Sequence, residues 1–278
     1  MKALYDKVCA DCSKLITKRY STSFSSGIRV FSKKFRKPIY NIYGFVRFAD
    51  EIVDTFHDQP RATLLQEFRN ETYKAIERRI SLNPVLHAFQ EVVHEYGIER
   101  ELIDAFLDSM EMDLHFHKYE DQLYRQYIYG SAEVVGLMCL KVFVESDQER
   151  YEELKENAKA LGSAFQKINF LRDMKSDFQE RGRVYFPGVN FENFTNQEKE
   201  KIEEDIQVDF DKGFQGIVNL PEGARLGVYI AYKYYIKLHQ KIKKATAAKV
   251  KEERIRVNDG KKMVVLFSSM VRSQLNIL

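Results

Sequence analysis

Tyr43-Gly44-Phe45-Val46-Arg47-Phe48-Ala49-Asp50-Glu51-Ile52-Val53-Asp54 is the stretch from which the fold is read. Its apolar residues Phe45, Phe48, Ala49, Ile52 and Val53, with Phe56 beyond, recur at helical spacing and form one face. Tyr43, Arg47, Asp50 and Asp54 step by four, three and four along an adjoining face. Asp50 and Asp54 are therefore neighbours, with Cβ atoms about 5–6 Å apart. Like charges at that spacing destabilise a helix unless a cation lies between them. Glu51, one residue on, projects off this stripe.

A second stripe repeats the geometry far along the chain. Gln166, Asn169, Asp173 and Asp177 step by three, four and four, while Ala164, Ile168 and Leu171 occupy another side. Mg²⁺ takes oxygen ligands and is commonly shared between one or two carboxylates and substrate phosphates. Two aspartate pairs on facing helices could hold such ions and neutralise a diphosphate leaving group. Arg47, Arg172 and Arg183 could add charge-assisted hydrogen bonds to its oxygens. A single acidic pair is more often a solvated surface feature. Two pairs, each with amide, arginine or tyrosine partners, point to a Mg²⁺–diphosphate site without naming the substrate.

The rest of the chain reads as helix. Periodicity predicts helices over 3–19, 22–32, 37–57, 61–80, 84–96, 100–117, 121–143, 147–179, 196–217, 221–250 and 258–276, with no strand. Ser146 with Glu149 and Thr195 with Glu198 read as capping boxes. Pro38, Pro84 and Pro221 are expected in first turns. The expected architecture is all-α, a single domain over 1–278.

The 278 residues carry a formal charge of +3, too small to imply nucleic acid. No apolar run reaches the roughly 18 residues of a membrane span, and the N-terminus lacks a signal-peptide stretch, so a cytoplasmic protein is expected. Cys9, Cys12 and Cys139 make no disulfide framework. His115 and His117 point apart on a helix and are not expected to bind metal.

The two stripes and their surroundings resemble the squalene/phytoene synthase family, with bacterial phytoene synthases the most similar. Tyr20-Ser21-Thr22-Ser23-Phe24 resembles its N-terminal element, Arg47 to Asp54 its first aspartate motif, and Tyr127 to Met138 its central helix. Met112-Asp113-Leu114 resembles a helix landmark. Gln166, Asn169 to Asp173 and Asp177 resemble the second aspartate motif, and Arg183 to Pro187 the loop that follows. The resemblance implies an isoprenoid-synthase bundle with a central apolar cavity and the aspartates at its mouth. It implies a prenyltransferase joining two geranylgeranyl diphosphates head to head, through a cyclopropyl diphosphate, to phytoene.

By the same resemblance, Asp50, Asp54, Asn169, Asp173 and Asp177 serve Mg²⁺, for which Mn²⁺ could stand in. Ser21, Ser23, Arg47, Gln166, Arg172 and Arg183 line the diphosphate region. Tyr43 and Tyr129 lie near the reacting carbons, Tyr185 near the mouth, and Phe24 in the prenyl pocket. Alternatives are a farnesyl-using presqualene, dehydrosqualene or squalene synthase and an inactive assembly factor. NADPH is not expected, since no Gly-rich dinucleotide fingerprint is present. From Lys233 to Lys262 eleven cations face three acids, which suggests weak peripheral contact with an anionic membrane at its inner face.

Overall fold

The computed structural model describes residues 1–115 and 118–257, apart from the side chains of Thr22 and Ser23. The described helices are α1 (Lys2–Tyr20), α2 (Thr22–Ile28), α3 (Lys33–Asp54), α4 (Arg61–Arg78), α5 (Pro84–Tyr96), α6 (Arg100–His115), α7 (Asp121–Ile128), α8 (Val134–Phe143), α9 (Gln148–Arg181), α10 (Asn196–Asn219), α11 (Glu222–Lys243) and α12 (Ala247–Glu252). Among the described residues there is no strand, only an isolated bridge between Lys118 and Val184. The helix expected over 258–276, His117 and the Ser23 side chain lie outside the described residues.

Local chemistry accounts for most boundaries. Asn83 accepts from the amides of Val85 and Leu86, Pro84 opens α5, and Gly97 closes it in the left-handed region. Thr195 and Glu198 form the expected capping box. Ser146 does not: it sits at φ 66°, and Asp147 caps α9 instead by accepting from Arg150. Pro38 also departs from expectation, because α3 begins five residues earlier and carries the proline inside. The carbonyl of Lys34 therefore lacks its helical donor. The expected 221–250 helix is interrupted at Lys244-Ala245, and Thr246 caps the short α12.

The expected helix over 121–143 contains a π-helical turn at Tyr129–Glu133 between α7 and α8. The turn lies against α6, where a Cβ on Gly130 would fall 2.3 Å from the Ala105 carbonyl oxygen. A one-residue widening of a helix leaves no compositional trace, which is why periodicity reads straight through it.

Packing falls into two apolar clusters. One gathers α3, α5, α6 and α8 around Phe45, which is fully buried and stacked on Phe89 at 3.9 Å. Truncating such a ring typically costs about 3–5 kcal/mol. The other gathers the C-terminal half of α9, α10, α11 and the segment after Arg183 around Ile168, Phe170 and Phe210. The C-terminal ends of α3 and α9 meet where these clusters adjoin. Among the described residues, no helix is long and apolar enough to cross a membrane.

Candidate functional site

The two acidic stripes face each other. Arg181 spans them, with Nε 3.5 Å from Asp54 on α3 and a terminal nitrogen 3.2 Å from Asp177 on α9. Gly182, at φ +67°, ends α9 in the left-handed region, and the Arg183 amide donates to the Asp177 carbonyl at 2.8 Å. That turn sends Arg183 back into the bundle, where its guanidinium lies 2.8 Å from Asp54.

Behind Arg183 stands a buried polar group that the sequence reading treated only as a landmark. Asp113 on α6 accepts from the hydroxyls of Tyr119, Tyr127 and Tyr185 at 3.1, 2.7 and 3.2 Å. Its own carbonyl accepts from Arg183 at 2.9 Å. Burial, partly offset by Arg183, raises the Asp113 carboxyl to about 6. Tyr185, expected near the mouth, belongs to this buried group and stacks on Phe170 at 4.0 Å. The Lys118–Val184 bridge brings the Arg183 segment beside α6.

The other expected residues divide by position. Tyr43 stacks on Phe24 at 4.9 Å and interacts with the Ser21 side chain, which also caps α2. Arg47 pairs with both Asp50 and Glu51, and lies 4.4 Å from the Tyr20 ring centre. Glu51, expected off the stripe, also accepts from the Tyr20 hydroxyl at 3.2 Å. On α9, Asn169 accepts from Tyr235 at 3.1 Å and donates to Gln166 at 3.4 Å. Asp173 is held by Arg172 at 2.5 Å and by Arg254 at 2.7 Å. Tyr129 stands apart: its ring lies 5.9 Å from Lys159, about two turns of α9 from Gln166.

Arg181, Arg254, Asp113 and Tyr235 are the site residues that the sequence reading missed. Arg181 continues the Asp173, Asp177 stripe by four, a signal that was available. Asp113 shares a face with Phe106 and Met110, and an acid on an apolar face is itself a signal. Arg254 reaches Asp173 across 81 positions, and nothing in its local sequence indicates that.

Electrostatics mark the site as a place for positive charge. Desolvation, then Asp54, raise Asp50 to about 7, although a third of its side chain (33%) remains open. Desolvation, then Asp173, raise Asp177 to about 7. A carboxylate whose charged form is disfavoured by desolvation and a like charge is stabilised by an added cation. The buried Nε–H of Arg47 has no hydrogen-bond partner, which suits an incoming oxyanion. The donors are carboxylate and amide oxygens with mutually repelling carboxylates, and they fit Mg²⁺. In this arrangement the carboxylates are held by guanidinium groups.

The sequence profile of the squalene/phytoene synthase family matches residues 17–261. The chain belongs to that family. Within the squalene/phytoene synthases, it is 29% identical over 196 residues to the 4,4'-diapophytoene synthase of Staphylococcus haemolyticus, a match covering 68% of this chain and 66% of that protein. It is 26% identical over 276 residues to the phytoene synthase of Pseudescherichia vulneris, covering 90% and 87%. A dehydrosqualene synthase crystal structure in complex with ligand superposes with a TM-score of 0.84 at 22% identity, covering 98% of this chain and 99% of that one. That likeness establishes the all-α isoprenoid-synthase fold.

Proposed function

We propose that the protein is a prenyltransferase that condenses two geranylgeranyl diphosphates head to head, through a cyclopropyl diphosphate, to phytoene. The observation that supports a diphosphate-handling site is the convergence of Asp54 and Asp177 on Arg181 at 3.5 and 3.2 Å, which brings the two acidic stripes together. Asp50, Asp54, Asn169, Asp173 and Asp177 would hold Mg²⁺, or Mn²⁺ in its place. When bound, the metal supplies charge neutralisation to a departing diphosphate.

The chain's own groups do the remaining work. Arg47, Arg172, Arg181 and Arg183 orient diphosphate oxygens, assisted by Ser21, Ser23 and Gln166. Tyr43, stacked on Phe24, and Tyr235, stacked on Phe165 at 4.0 Å, offer ring faces to an allylic cation. Tyr129, expected near the reacting carbons, would contact the substrate further along its chain. Tyr185 steadies Arg183. An apolar interior keeps water from the cations. No NADPH is consumed. The enzyme works from the cytoplasmic side, without binding nucleic acid, and touches the membrane peripherally because its product is a hydrocarbon.

A second reading has support in the similarity to a diapophytoene synthase: two farnesyl diphosphates would give a product of the dehydrosqualene type. Incubation with Mg²⁺ and either diphosphate, without NADPH, separates the two. Phytoene from the longer substrate is expected. A hydrocarbon formed only from farnesyl diphosphate would replace the first reading with the second. An inactive assembly role would leave both substrates intact.

A further inference from the structure

Helix α1 is built inside out. Cys9, Ser13 and Thr17, small or polar, are buried against the bundle, where Ser13 packs on Gly44 of α3. Leu4, Val8 and Leu15, at i, i+4 and i+11, share the opposite face, with the exposed Asp11 at its edge towards the lysines, and are 66%, 51% and 55% exposed. Three large apolar side chains left open on one side of a helix whose small and polar residues pack inward are available to a covering surface.

The adjoining flank of α1 carries Lys7, Lys14 and Lys18. Together with Arg29 and Lys33 they line a groove of about 820 Å³ between α1 and the start of α3. In all, the groove is lined by seven cations and three acids. Two of those acids are already engaged: Asp6 with Lys2 and His87, and Glu91 with Lys37 at 3.0 Å. Among the described residues, Lys7, Lys14, Lys18, Arg29 and Lys33 make no ion pair. The nearby trio Asp6, His87 and Glu91 is not a metal site. The His87 Nδ1 accepts from the Ser81 amide, so Nε2 carries the proton that it donates to Asp6.

The geometry points to α1 as the surface that docks on an anionic bilayer, with Leu4, Val8 and Leu15 entering the headgroup boundary and the lysine flank meeting lipid phosphates. The inference deepens the proposed peripheral membrane contact and rests on it. It also moves that contact away from the basic stretch after Lys233. Several cations there are engaged within the fold: Arg254 on Asp173, Lys241 on the Arg256 carbonyl at 2.5 Å, and Lys251 on the Glu192 carbonyl at 2.6 Å. A second copy of the chain fits less well, because an isologous contact through α1 brings two lysine rows together.

The test is co-sedimentation of the full chain with phosphatidylglycerol-containing vesicles and with phosphatidylcholine vesicles, at low and high salt. Wild-type protein is expected to bind the anionic vesicles and to dissociate as salt rises. The variants L4S/V8S/L15S and K7E/K14E/K18E are each expected to lower the bound fraction at least about fivefold, with unchanged melting and unchanged turnover of detergent-dispersed substrate. Wild-type protein that binds neither vesicle overturns both this inference and the peripheral contact. Variants that bind like wild type overturn α1 as the surface and leave the peripheral contact standing. Equal binding to both lipids overturns the anionic selectivity. A dimer, seen by sedimentation velocity and lost in the serine variant while vesicle binding persists, assigns the stripe to self-association and overturns the proposal.

Discussion

Arg183 holds Asp54 at 2.8 Å across 129 positions of sequence. This contact ties the end of α3 to the segment after α9. Arg183 is almost wholly buried and also lies 3.6 Å from Asp113, so one guanidinium faces two carboxylates, of which Asp113 is buried and Asp54 partly open. Removing it with Arg183→Met leaves the buried Asp113 without a cation, while Asp54 keeps Arg181 at 3.5 Å. The expected loss is about 3–5 kcal/mol in denaturant unfolding, with Arg183→Lys losing less because one cation remains. Unchanged stability of the methionine variant would show that the contact contributes nothing to the fold.

The π-helical turn depends on a bare backbone at Gly130. A Cβ there would meet the Ala105 carbonyl at 2.3 Å and Ser109 Cβ at 2.6 Å, and α6 can yield only by shifting its own packing. Gly130→Ala is expected to cost about 1–3 kcal/mol, read from the urea midpoint. A midpoint equal to wild type would mean that α6 and the π turn separate freely.

Proton and metal compete for Asp50 and Asp177. In the metal-free protein both carboxyls titrate near 7, against an ordinary value of 3.8. Between those limits the folded chain binds more protons than the unfolded chain. Their contribution to stability is therefore complete below 3.8 and is lost as pH rises through 7. Mg²⁺ requires the ionised groups, so its stabilising effect runs the other way. The rise in melting temperature on adding Mg²⁺ should be larger at about pH 8 than at about pH 6, with protons released on binding at the lower pH. A Mg²⁺ increment independent of pH would exclude these two acids as the metal's ligands.

His239 predicts an acid limb of its own. It is buried, its Nε2 has no hydrogen-bond partner, and burial followed by Lys243 and Lys199 lowers it to about 4 from 6.5. The unfolded chain takes up a proton below 6.5 that the folded chain refuses until about 4. This stability is thus present above 6.5 and is lost as pH falls through that window. His239→Phe, placed against Phe210, should flatten that part of the pH–stability curve relative to wild type. An identical acid limb in the variant would contradict the assignment.

Much of this was legible in sequence, for identifiable reasons. Spacings of three and four placed Asp50, Asp54, Asp173 and Asp177 on two ridges, because helical period is a local property. The same logic read the capping box at Thr195. It failed at Ser146, where the neighbouring Asp147 competes for the cap, and at Pro38, where tertiary packing carries α3 back through the proline. It also failed at the π turn, which alters geometry without altering composition. Asp113 and Arg254 act through contacts between distant segments, and one chain's local pattern does not encode such pairings. Asp113 nevertheless left a trace, as an acid on the apolar face of α6.

The central claim is that two ridges, on α3 and α9, form one metal–diphosphate site. The most direct test is Mg²⁺-dependent binding of a non-ionising prenyl thiodiphosphate, measured calorimetrically for wild type, D54N, D177N and the double variant. A shared site predicts at least about a tenfold weaker affinity for each single change and a double variant far from additive. Full affinity after neutralising either ridge, or strictly additive losses, would contradict it.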